Sequence, residues 1–275
     1  QSAVGRTRTL ALVVDEIQSL RLAYASCQNY DQGFYSAWRH MLQENLDAIL
    51  FLGDYIYEYP SVGTLGRHYV LGWAYDLVSY RERYTLYKSD PHLQAIHAHV
   101  PWIMSWDDHE VQNDYAGEQA GFSGPFGIDF AQRKIAAHQA YYENMPISLQ
   151  SLKLGLKGLA SGADLRVFQS YQWGQLAQLH VLDCRQYKDP QPCSFFERKN
   201  ASIVKPNQCS DWYDDKRTML GLAQEKWLDE QLKMAHQKPC VWNVLGQSTL
   251  FSQRNNGSVE QPQFFYDGWD AYSAN

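Results

Sequence analysis

The sequence predicts an α/β fold in which short buried strands alternate with amphipathic helices. Two apolar runs, 46–52 and 100–105, each end abruptly in acidic residues, which is typical of buried strands that carry carboxylates to one edge of a sheet. Helical spacing of apolar residues at 34–45 separates the first run from an earlier strand-like segment. Such a strand–helix–strand unit predicts two neighbouring parallel strands with a right-handed crossover.

The remaining elements continue this alternation along the chain. Residues 1–19 are polar and then weakly apolar, which predicts an extended lead-in to a domain covering 20–275. Strands are predicted at 20–25, 48–52, 101–105, 165–171, 177–183 and 240–245, and helices at 34–45, 75–87, 130–144 and 221–235.

A further short helix is predicted from Pro91, because Asp90 and Pro91 are the residue types preferred at an N-cap and the first helical position. His97 and His99 lie near its end. Their spacing is wrong for one helix face, so we expect them to be packed or capping residues.

Length and charge exclude several classes of protein. The 275 residues contain no internal repeat or linker, so one domain, expected to be monomeric, is the simplest prediction. The formal net charge is −6 and no basic stripe is present, which argues against a nucleic-acid partner. No apolar run approaches the roughly 20 residues of a membrane span. No basic-then-apolar leader is present, so an export signal is expected to have been removed or to lie upstream.

The five cysteines fall into three groups. Cys193 and Cys209 flank a stretch rich in Pro, Asn and Lys, and we expect a disulfide that closes this surface loop in an oxidising compartment. Cys184 and Cys240 lie in apolar strand-like runs and are expected to be inert core thiols. Cys27 forms the third group, because it follows the end of the first predicted strand and lies neither beside the surface loop nor within an apolar run.

The first acidic motif, Gly53-Asp54-Tyr55-Ile56-Tyr57, has the residue types of a metal site. Gly53 lets the backbone turn sharply, and Asp54 can bridge two cations through its two oxygens. Tyr57 lies within a turn of Asp54, and Cys27 is expected nearby because the ends of parallel strands converge. Phenolate and thiolate ligands suit Fe³⁺ better than magnesium or calcium, so Cys27, Asp54 and Tyr57 predict an iron site.

The second acidic motif, Trp106-Asp107-Asp108-His109-Glu110, supplies oxygen ligands and a proton-handling group. Asp108 offers only oxygen and suits Ca²⁺. Asn113 and Asp114 follow within a turn as further candidate ligands, with an Asx-turn as the alternative. His109 is expected to act as proton donor or hydrogen-bond partner to a departing alkoxide. The alternative role for His109 is to orient a metal ligand.

Either motif alone has a structural alternative, since its acids are also typical of helix N-caps or salt-bridged loops. Together they point to one shared metal centre, because buried carboxylates are costly unless cations compensate them. Arg185 follows the strand predicted at 177–183, and its planar fork suits bidentate phosphate binding. A surface salt bridge is the alternative for Arg185.

Several segments resemble the signature segments of PhoD-type alkaline phosphatases, within the calcineurin-like metallophosphoesterase superfamily. Gly53–Tyr59 and Trp106–Val111 carry the resemblance, and the first is also similar to the Gly-Asp-x-x-Tyr motif of purple acid phosphatases. Further segments match in order: Ala25–Gln28, Ala140–Pro146, Leu182–Tyr187, Arg217–Gly221 and Trp269–Tyr272. The resemblance runs from about Leu22 to the end of the chain.

This resemblance implies a metallophosphoesterase-type β-sandwich flanked by helices, with the metal site at the C-terminal ends of strands. It also implies Fe³⁺ and Ca²⁺ as cofactors, phosphate mono- or diesters (phospholipids included) as substrates, and export to the periplasm or beyond the cell. The superfamily's closing Gly-Asp-x-His type segment does not occur here, so the domain is expected to be incomplete at its C-terminus.

Carried over by position, the resemblance assigns Cys27, Asp54 and Tyr57 to the iron. Asp108 and Asn113 fall on the calcium side. The two groups that would face the phosphoryl group are His109 and Arg185.

The predicted function is therefore that of a PhoD-like alkaline phosphatase that uses metal-activated water. One alternative is a phosphodiesterase with phospholipase D activity, which the same site would support. The other is a non-catalytic metal- or phosphate-binding remnant that lacks the last ligand segment.

Overall fold

Strands and helices form a mixed α/β fold, as the sequence predicts. The computed structural model describes residues 4–272 apart from 13, 64–65, 122, 149–164, 194–201 and 238–239. In chain order the elements are β1 (Leu22–Ala25), α1 (Ser36–Met41), β2 (Ala48–Leu52), α2 (Leu77–Lys88), α3 (Pro91–His99), β3 (Trp102–Ser105), α4 (Phe130–Asn144), β4 (Gln169–Trp173), β5 (Ala177–Val181), β6 (Ile203–Val204), α5 (Leu222–Gln237), β7 (Trp242–Gly246) and β8 (Phe264–Phe265).

The described strands form two three-stranded sheets and one short pair. The first sheet has the order β1-β2-β3, with all strands parallel, which confirms the predicted parallel pairing of the first two strands. The second has the order β4-β5-β7, in which β4 and β5 are antiparallel and β7 runs parallel to β5. The antiparallel pair β6–β8 was not predicted, because two-residue strands carry no detectable period.

The two larger sheets contact each other through one apolar cluster. Alternate residues of a strand point to opposite faces, so β2 and β3 present one set of side chains to the second sheet. The cluster includes Leu50, Ile103, Trp173, Leu179 and Val181. The intervening residues of the first sheet, such as Ile49 and Phe51, pack instead against helices α2, α3 and α4.

Carboxylate caps explain where three helices begin. The Asp76 carboxylate accepts a hydrogen bond from the Ser79 backbone N–H, and the Ser79 hydroxyl oxygen accepts one from the Asp76 N–H, which makes a capping box for α2. Asp90 accepts from the N–H groups of His92 and Leu93, as predicted for α3. Asp129 caps α4 in the same way.

Two predicted elements differ from the structure. Helix α1 ends at Met41, before the predicted end at 45, and Phe34 is 70% exposed, so it adds nothing to the apolar face. The strand predicted at 165–171 is observed as β4, which begins four residues later and ends two residues later than predicted. Leu165 lies before β4 and is buried.

Cysteine positions confirm most of the predicted roles. Cys193 and Cys209 form a disulfide. Cys184 is buried, and burial raises the pKa of its thiol to about 12. The core assignment of Cys240 is wrong. It lies only half-buried before β7, an edge strand whose Trp242 is 63% exposed.

The remaining predictions concern the chain start, membrane crossing and the histidines. Residues 4–12 and 14–21 contain neither helix nor strand. Within the described ranges, no helix combines the length and apolar character needed to cross a bilayer. His97 packs flat on Trp102 with 3.9 Å between ring centroids, and its Nε2 lies 2.8 Å from the Tyr55 hydroxyl. His99 is exposed in the last turn of α3.

We predict that buried histidines make the fold acid-sensitive. Burial lowers the pKa of His138, which stacks on Trp106, to about 3. The unfolded chain takes up this proton below about pH 6.5, so the stability contribution is complete above that pH and is lost as pH falls toward 3. The expected slope is at most about 1.4 kcal/mol per pH unit for this group.

His138→Phe, which keeps the stack on Trp106, should flatten the decline of unfolding free energy between pH 7 and 4.5, measured by urea denaturation. His40→Gln, at an exposed histidine, is the matched control and should leave the slope unchanged. An unchanged slope in His138→Phe would contradict the prediction.

Candidate metal centre

The loops that follow β1, β2 and β3 meet at one edge of the first sheet. The strands are parallel and in register, with Ala25 opposite Phe51 and Leu52 opposite Ser105, so their carboxyl ends lie side by side. The Cys27 N–H donates to Gly53 O at 3.1 Å, which joins the first two loops.

Gly53 allows the second and third loops to approach closely. Its φ is +107°, a region that favours glycine. A Cβ at this position would lie 2.3 Å from the backbone nitrogen of Asp107, so any other residue would push the two acidic loops apart.

The Glu110 carboxylate then binds both acidic loops. It accepts hydrogen bonds from the backbone N–H groups of Asp54 (3.1 Å), Tyr55 (2.5 Å) and Asp107 (2.9 Å). Burial raises the pKa of Glu110 to about 7, although these three donors act in the opposite direction. One buried side chain therefore fixes the relative position of the two motifs.

Asp54 lies at the centre of the candidate ligands. Its Oδ2 accepts hydrogen bonds from the Tyr57 hydroxyl at 3.1 Å and the Cys27 thiol at 3.4 Å. Its buried Oδ1 has no hydrogen-bond partner among the described residues. Burial, together with the neighbouring Asp108 and Asp107, raises the pKa of Asp54 well above its usual value. A bound cation would give Oδ1 a partner and would stabilise the ionised form of Asp54.

Ligand atoms of Asp54, Asp108 and His109 lie within 4.8 Å of one another, a separation that suits one cation. Cys27 and Tyr57 border the same point through their bonds to Asp54. Burial, followed by the charge of Asp54, raises the pKa of Cys27 to about 11, so this thiol becomes a thiolate ligand only beside a cation. The donor set therefore fits the predicted metal.

Strained backbone occurs at three candidate ligand positions. Cys27 and Asp54 both have φ of +57°, and Asp114 has φ of +58°. A residue with a Cβ pays roughly 1–2 kcal/mol in this conformation. Such strain persists where the surroundings hold the residue, and it collects at functional sites.

A second cluster of candidate ligands adjoins the cluster of Asp54, Asp108 and His109, and the two clusters share Asp108. Asp108, Asp114 and Asp267 also place ligand atoms within 4.8 Å of one another. The Asp114 N–H donates to Asp108 Oδ2 at 2.6 Å, and the Tyr266 hydroxyl donates to Asp114 Oδ2 at 2.7 Å. Sequence analysis missed Asp267, because it reaches this edge from a segment far along the chain that carries no acidic pattern.

Arg185 enters the site from the end of β5 and lies among carboxylates. Its Nε donates to Asp107 Oδ1 at 2.6 Å and its Nη1 to Asp267 Oδ2 at 2.7 Å, while Nη2 lies 3.6 Å from Asp108 Oδ2. The loop that carries it is held by Asp183, which accepts from the Arg185 N–H.

The charge of Arg185 decides which neighbouring acid ionises. Although burial acts in the opposite direction, Arg185 and then His109 hold the pKa of Asp108 below its usual range. Asp108 therefore ionises more readily than Asp54, for which burial and the neighbouring Asp108 and Asp107 outweigh the charge of His109.

His109 is held on the far side of Asp108 by Glu58. The two side chains are 2.7 Å apart, between Nδ1 and Oε2. Burial alone would lower the pKa of His109, but Asp108 and Glu58 raise it well above its usual value. Glu58 belongs to the first motif, yet sequence alone does not show that its carboxylate reaches the histidine of the second.

A cavity of about 340 Å³ opens beside the carboxylates. Asn113, the remaining predicted ligand, lies on its wall with Asp107 and Asp114. Apolar and basic residues line the opposite part of the cavity: Leu250, Arg254, Phe265 and Trp269.

A family model described as PhoD-like phosphatase matches residues 22–275. The chain belongs to the PhoD-like phosphatase family. It is 38% identical to alkaline phosphatase D of Bacillus subtilis (strain 168) over 281 residues, which is 99% of this chain and 44% of that protein. A solved structure described as the structure of PhoD superposes with a TM-score of 0.85 at 38% identity, covering 98% of this chain and 49% of the other. The chain thus spans about half the length of the relatives it matches.

Within this PhoD-like chain, Cys27, Tyr57 and His109 all lie around Asp54, and Asp108 shares their cluster. The three residues that sequence analysis missed are Glu58, Glu110 and Asp267. Glu58 and Asp267 act through contacts with residues distant in sequence, and Glu110 adds two such contacts to its local bond with the Asp107 N–H. No local pattern could have identified these distant partners.

We predict that Glu110→Gln loosens the junction of the two acidic loops. A Gln side chain has one acceptor oxygen for three backbone donors, so at least one buried N–H loses its partner, at a cost of about 1–3 kcal/mol. Urea denaturation at pH 8 should show this loss. Amide exchange should become faster at Tyr55, whose N–H alone donates to Oε1, while the Gln oxygen keeps the donors Asp54 and Asp107 that share Oε2. Glu82→Gln, at an exposed site on α2, is the matched control. A loss no larger than in this control would rule out the proposed role of Glu110.

We also predict opposite effects of Asp54→Asn with and without metal. Asn tolerates positive φ and replaces a buried carboxyl group that is costly to ionise, so the metal-free protein should become more stable by about 1 kcal/mol. Metal affinity should fall by more than the roughly 10–100-fold typical of losing an outer hydrogen-bond partner. Thermal unfolding in chelator and elemental analysis measure the two effects.

Asp129→Asn is the control for Asp54→Asn, because Asn and Asp cap a helix equally well. Near-native metal content in Asp54→Asn would remove Asp54 from the ligand set.

Proposed function

We propose that this chain forms the catalytic core of a metal-dependent phosphoester hydrolase of the alkaline phosphatase type, acting on phosphate mono- or diesters. The observation that carries the proposal is the cluster of Asp54, Asp108 and His109, in which one buried carboxylate oxygen has no hydrogen-bond partner in the described part of the chain. Family membership and the similarity to alkaline phosphatase D support the same chemistry.

For the metals we propose Fe³⁺ held by Cys27, Asp54 and Tyr57, and Ca²⁺ held by Asp108 and Asn113, with Asp54 between them. The thiol and phenol that both contact Asp54 support iron, since these ligands suit a trivalent ion. When bound, the cations polarise phosphoryl oxygens and lower the pKa of a water nucleophile.

The chain's own groups supply the remaining chemistry. His109 donates a proton to the departing oxygen, supported by its raised pKa and its position beside Asp54 and Asp108. Arg185 brings a planar positive charge to the same cluster, where it now binds Asp107 and Asp267. In the proposed role it exchanges one of these carboxylates for phosphoryl oxygens.

For the fold we propose a single metallophosphoesterase-type β-sandwich domain covering residues 20–275, with helices outside it and the metals at the strand ends. The apolar cluster between the two larger sheets supports this architecture. We further propose a monomer exported to the periplasm or beyond the cell, without a nucleic-acid partner. The disulfide of Cys193 and Cys209 supports an oxidising compartment, and the net charge of −6 disfavours nucleic acid.

A phosphodiesterase, including one with phospholipase D activity, is the second candidate. The cavity beside the carboxylates favours it, because its Leu250, Phe265 and Trp269 offer apolar contact to a second ester substituent. Comparing turnover of a monoester, a diester and a phosphatidyl lipid by the full native polypeptide separates the two activities. No turnover of any ester at full metal content would instead favour a binding protein.

We predict that His109→Ala discriminates between leaving groups. A proton donor matters most for a poor leaving group, so alkyl phosphate hydrolysis should slow by roughly 10²–10⁴-fold, and activated aryl phosphate hydrolysis far less. The measurement is kcat/KM of the metal-saturated native polypeptide for both esters. Equal losses that excess metal restores would show that His109 only orients a ligand.

A further inference from the structure

Ser170, His180 and Asn243 form a hydrogen-bonded row across the second sheet. The Ser170 hydroxyl lies 2.8 Å from His180 Nδ1, and His180 Nε2 lies 3.2 Å from Asn243 Oδ1. Ser170 on β4 is directly opposite His180 on β5, and Asn243 comes from β7 on the other side of β5. The row has the composition of a nucleophile, a base, and a group that orients the base.

The row lies on the face of the second sheet that points away from the first sheet. Successive residues of a strand point to opposite faces. Leu179 and Val244 belong to the apolar cluster between the two sheets, so their neighbours in the row point the other way. Helix α5 packs on this face, where the ring of Trp227 lies 6.4 Å from the ring of His180.

Burial differs along the row in a way that suits a reactive hydroxyl. His180 has no exposed surface, whereas Ser170 is half-buried and Asn243 is exposed. A small molecule therefore reaches the hydroxyl from solvent, while the ring beside it is shielded from water.

The Asn243 amide determines which nitrogen of His180 carries a hydrogen. Its Oδ1 only accepts, so Nε2 carries the hydrogen and donates it. Burial lowers the pKa of His180, although the bond to Asn243 acts in the opposite direction, so the ring is neutral near pH 7. Nδ1 of this neutral ring has a free electron pair, and the Ser170 hydroxyl donates to it.

We propose that Ser170 is a nucleophile, with His180 as its base and Asn243 as a positioning residue, in a second reactive site that accepts acyl groups from carboxylic esters. Ser170 Oγ attacks the carbonyl carbon while its proton passes to His180 Nδ1. The bond from this carbon to the ester oxygen breaks, the departing alcohol takes the proton, and the acyl group stays on Oγ. A water molecule then gives its proton to Nδ1 and attacks the same carbon. The acid leaves, and Oγ recovers its hydrogen from Nδ1.

The contacts of the row favour a carboxylic ester over a phosphate ester. A phosphate brings negative charge, which a catalytic site compensates with cations. A carbonyl group is neutral and needs no such compensation before it is attacked. Among the described residues, the hydrogen bonds of the row involve no Lys or Arg. The site therefore differs in substrate class from the metal centre and does not rest on the function proposed for it.

The competing explanation is that the row only stabilises the sheet. Cross-strand hydrogen bonds between polar side chains do this without any reactivity. A purely structural row would leave Ser170 as unreactive as other serines, so the reactivity of its hydroxyl separates the two explanations.

Labelling with diisopropyl fluorophosphate, a reagent for activated serine hydroxyls, provides the first test. The metal-loaded native polypeptide is treated, and the modified residues are located by peptide mass spectrometry. Ser170 should react roughly 10²–10⁴-fold faster than Ser89, an exposed serine of the same molecule that serves as the internal control. A Ser170 that reacts no faster than Ser89 would overturn the proposal.

His180→Gln tests the base. Labelling of Ser170 should fall to the rate of Ser89, because no ring nitrogen remains to take the proton. Gln172→Ala changes the same face of β4 outside the row, so this matched control should keep the wild-type rate. Wild-type labelling in a folded His180→Gln protein, checked by urea denaturation, would contradict the role of His180.

Nitrogen-15 NMR tests the role of Asn243 and needs no variant of His180. The wild type should show a hydrogen on Nε2 of this ring and none on Nδ1. Asn243→Leu should lose this preference and label more slowly, whereas Asn243→Asp, whose carboxylate still accepts the Nε2 hydrogen, should keep both properties. A hydrogen on Nδ1 in the wild type would overturn the proposal, as would equal labelling rates in Asn243→Leu and the wild type.

Reaction with 4-nitrophenyl acetate tests the substrate class. The wild type should release 4-nitrophenol in a burst and, after acid quenching, carry an acetyl group on Ser170. Ser170→Ala should lose the burst and keep its turnover of phosphate esters, because Ser170 is not among the residues assigned to the metals or the phosphoryl group. A Ser170 without an acetyl group would overturn the assignment to carboxylic esters. A loss of phosphate ester turnover in Ser170→Ala would show that the row belongs to the metal centre and is not a separate site.

Discussion

The buried carboxylate of Glu110 is the interaction on which the site depends. Its hydrogen bonds to the N–H groups of Asp54, Tyr55 and Asp107 join the loops of two neighbouring strands. Each loop contains residues with costly burial or strain, so neither would hold its geometry alone. Gly53 completes the junction, because a Cβ there would collide with the backbone of Asp107. The acidic motifs are therefore one structural unit built from two sequence segments.

Charge balance follows from this junction. Arg185 contacts the carboxylates of Asp107 and Asp267, Lys188 contacts Asp267, and His109 lies near Asp54 and Asp108. These cations compensate Asp108 and Asp267, whereas Asp54 keeps a buried oxygen without a partner among the described residues. A buried carboxylate cluster of this kind could bind a metal ion, and a bound cation would lower the electrostatic cost of burying these acids together.

Local patterns were sufficient for most of the scaffold. The strand at 48–52 and the helix at 130–144 were predicted with their observed bounds, since apolar periodicity and a capping residue act within a few positions. The strand predicted from Leu165 begins instead at Gln169, because burial alone also favours apolar residues and the apolar run does not fix the strand's start. It failed again at Cys240, whose apolar segment leads into an exposed edge strand.

The sequence by itself determined that Cys27, Asp54 and Asp108 follow strand ends, because the length and apolar character of each strand are local properties. It also predicted His109 as the proton-handling residue, through its place in an acidic motif, and that role stays a prediction. Only the tertiary structure decided which groups these residues contact. Glu58 reaches the ring of His109 from another loop, and the carboxylates that hold Arg185 come from separate segments. Such partners are set by chain packing across the fold, which no local pattern encodes.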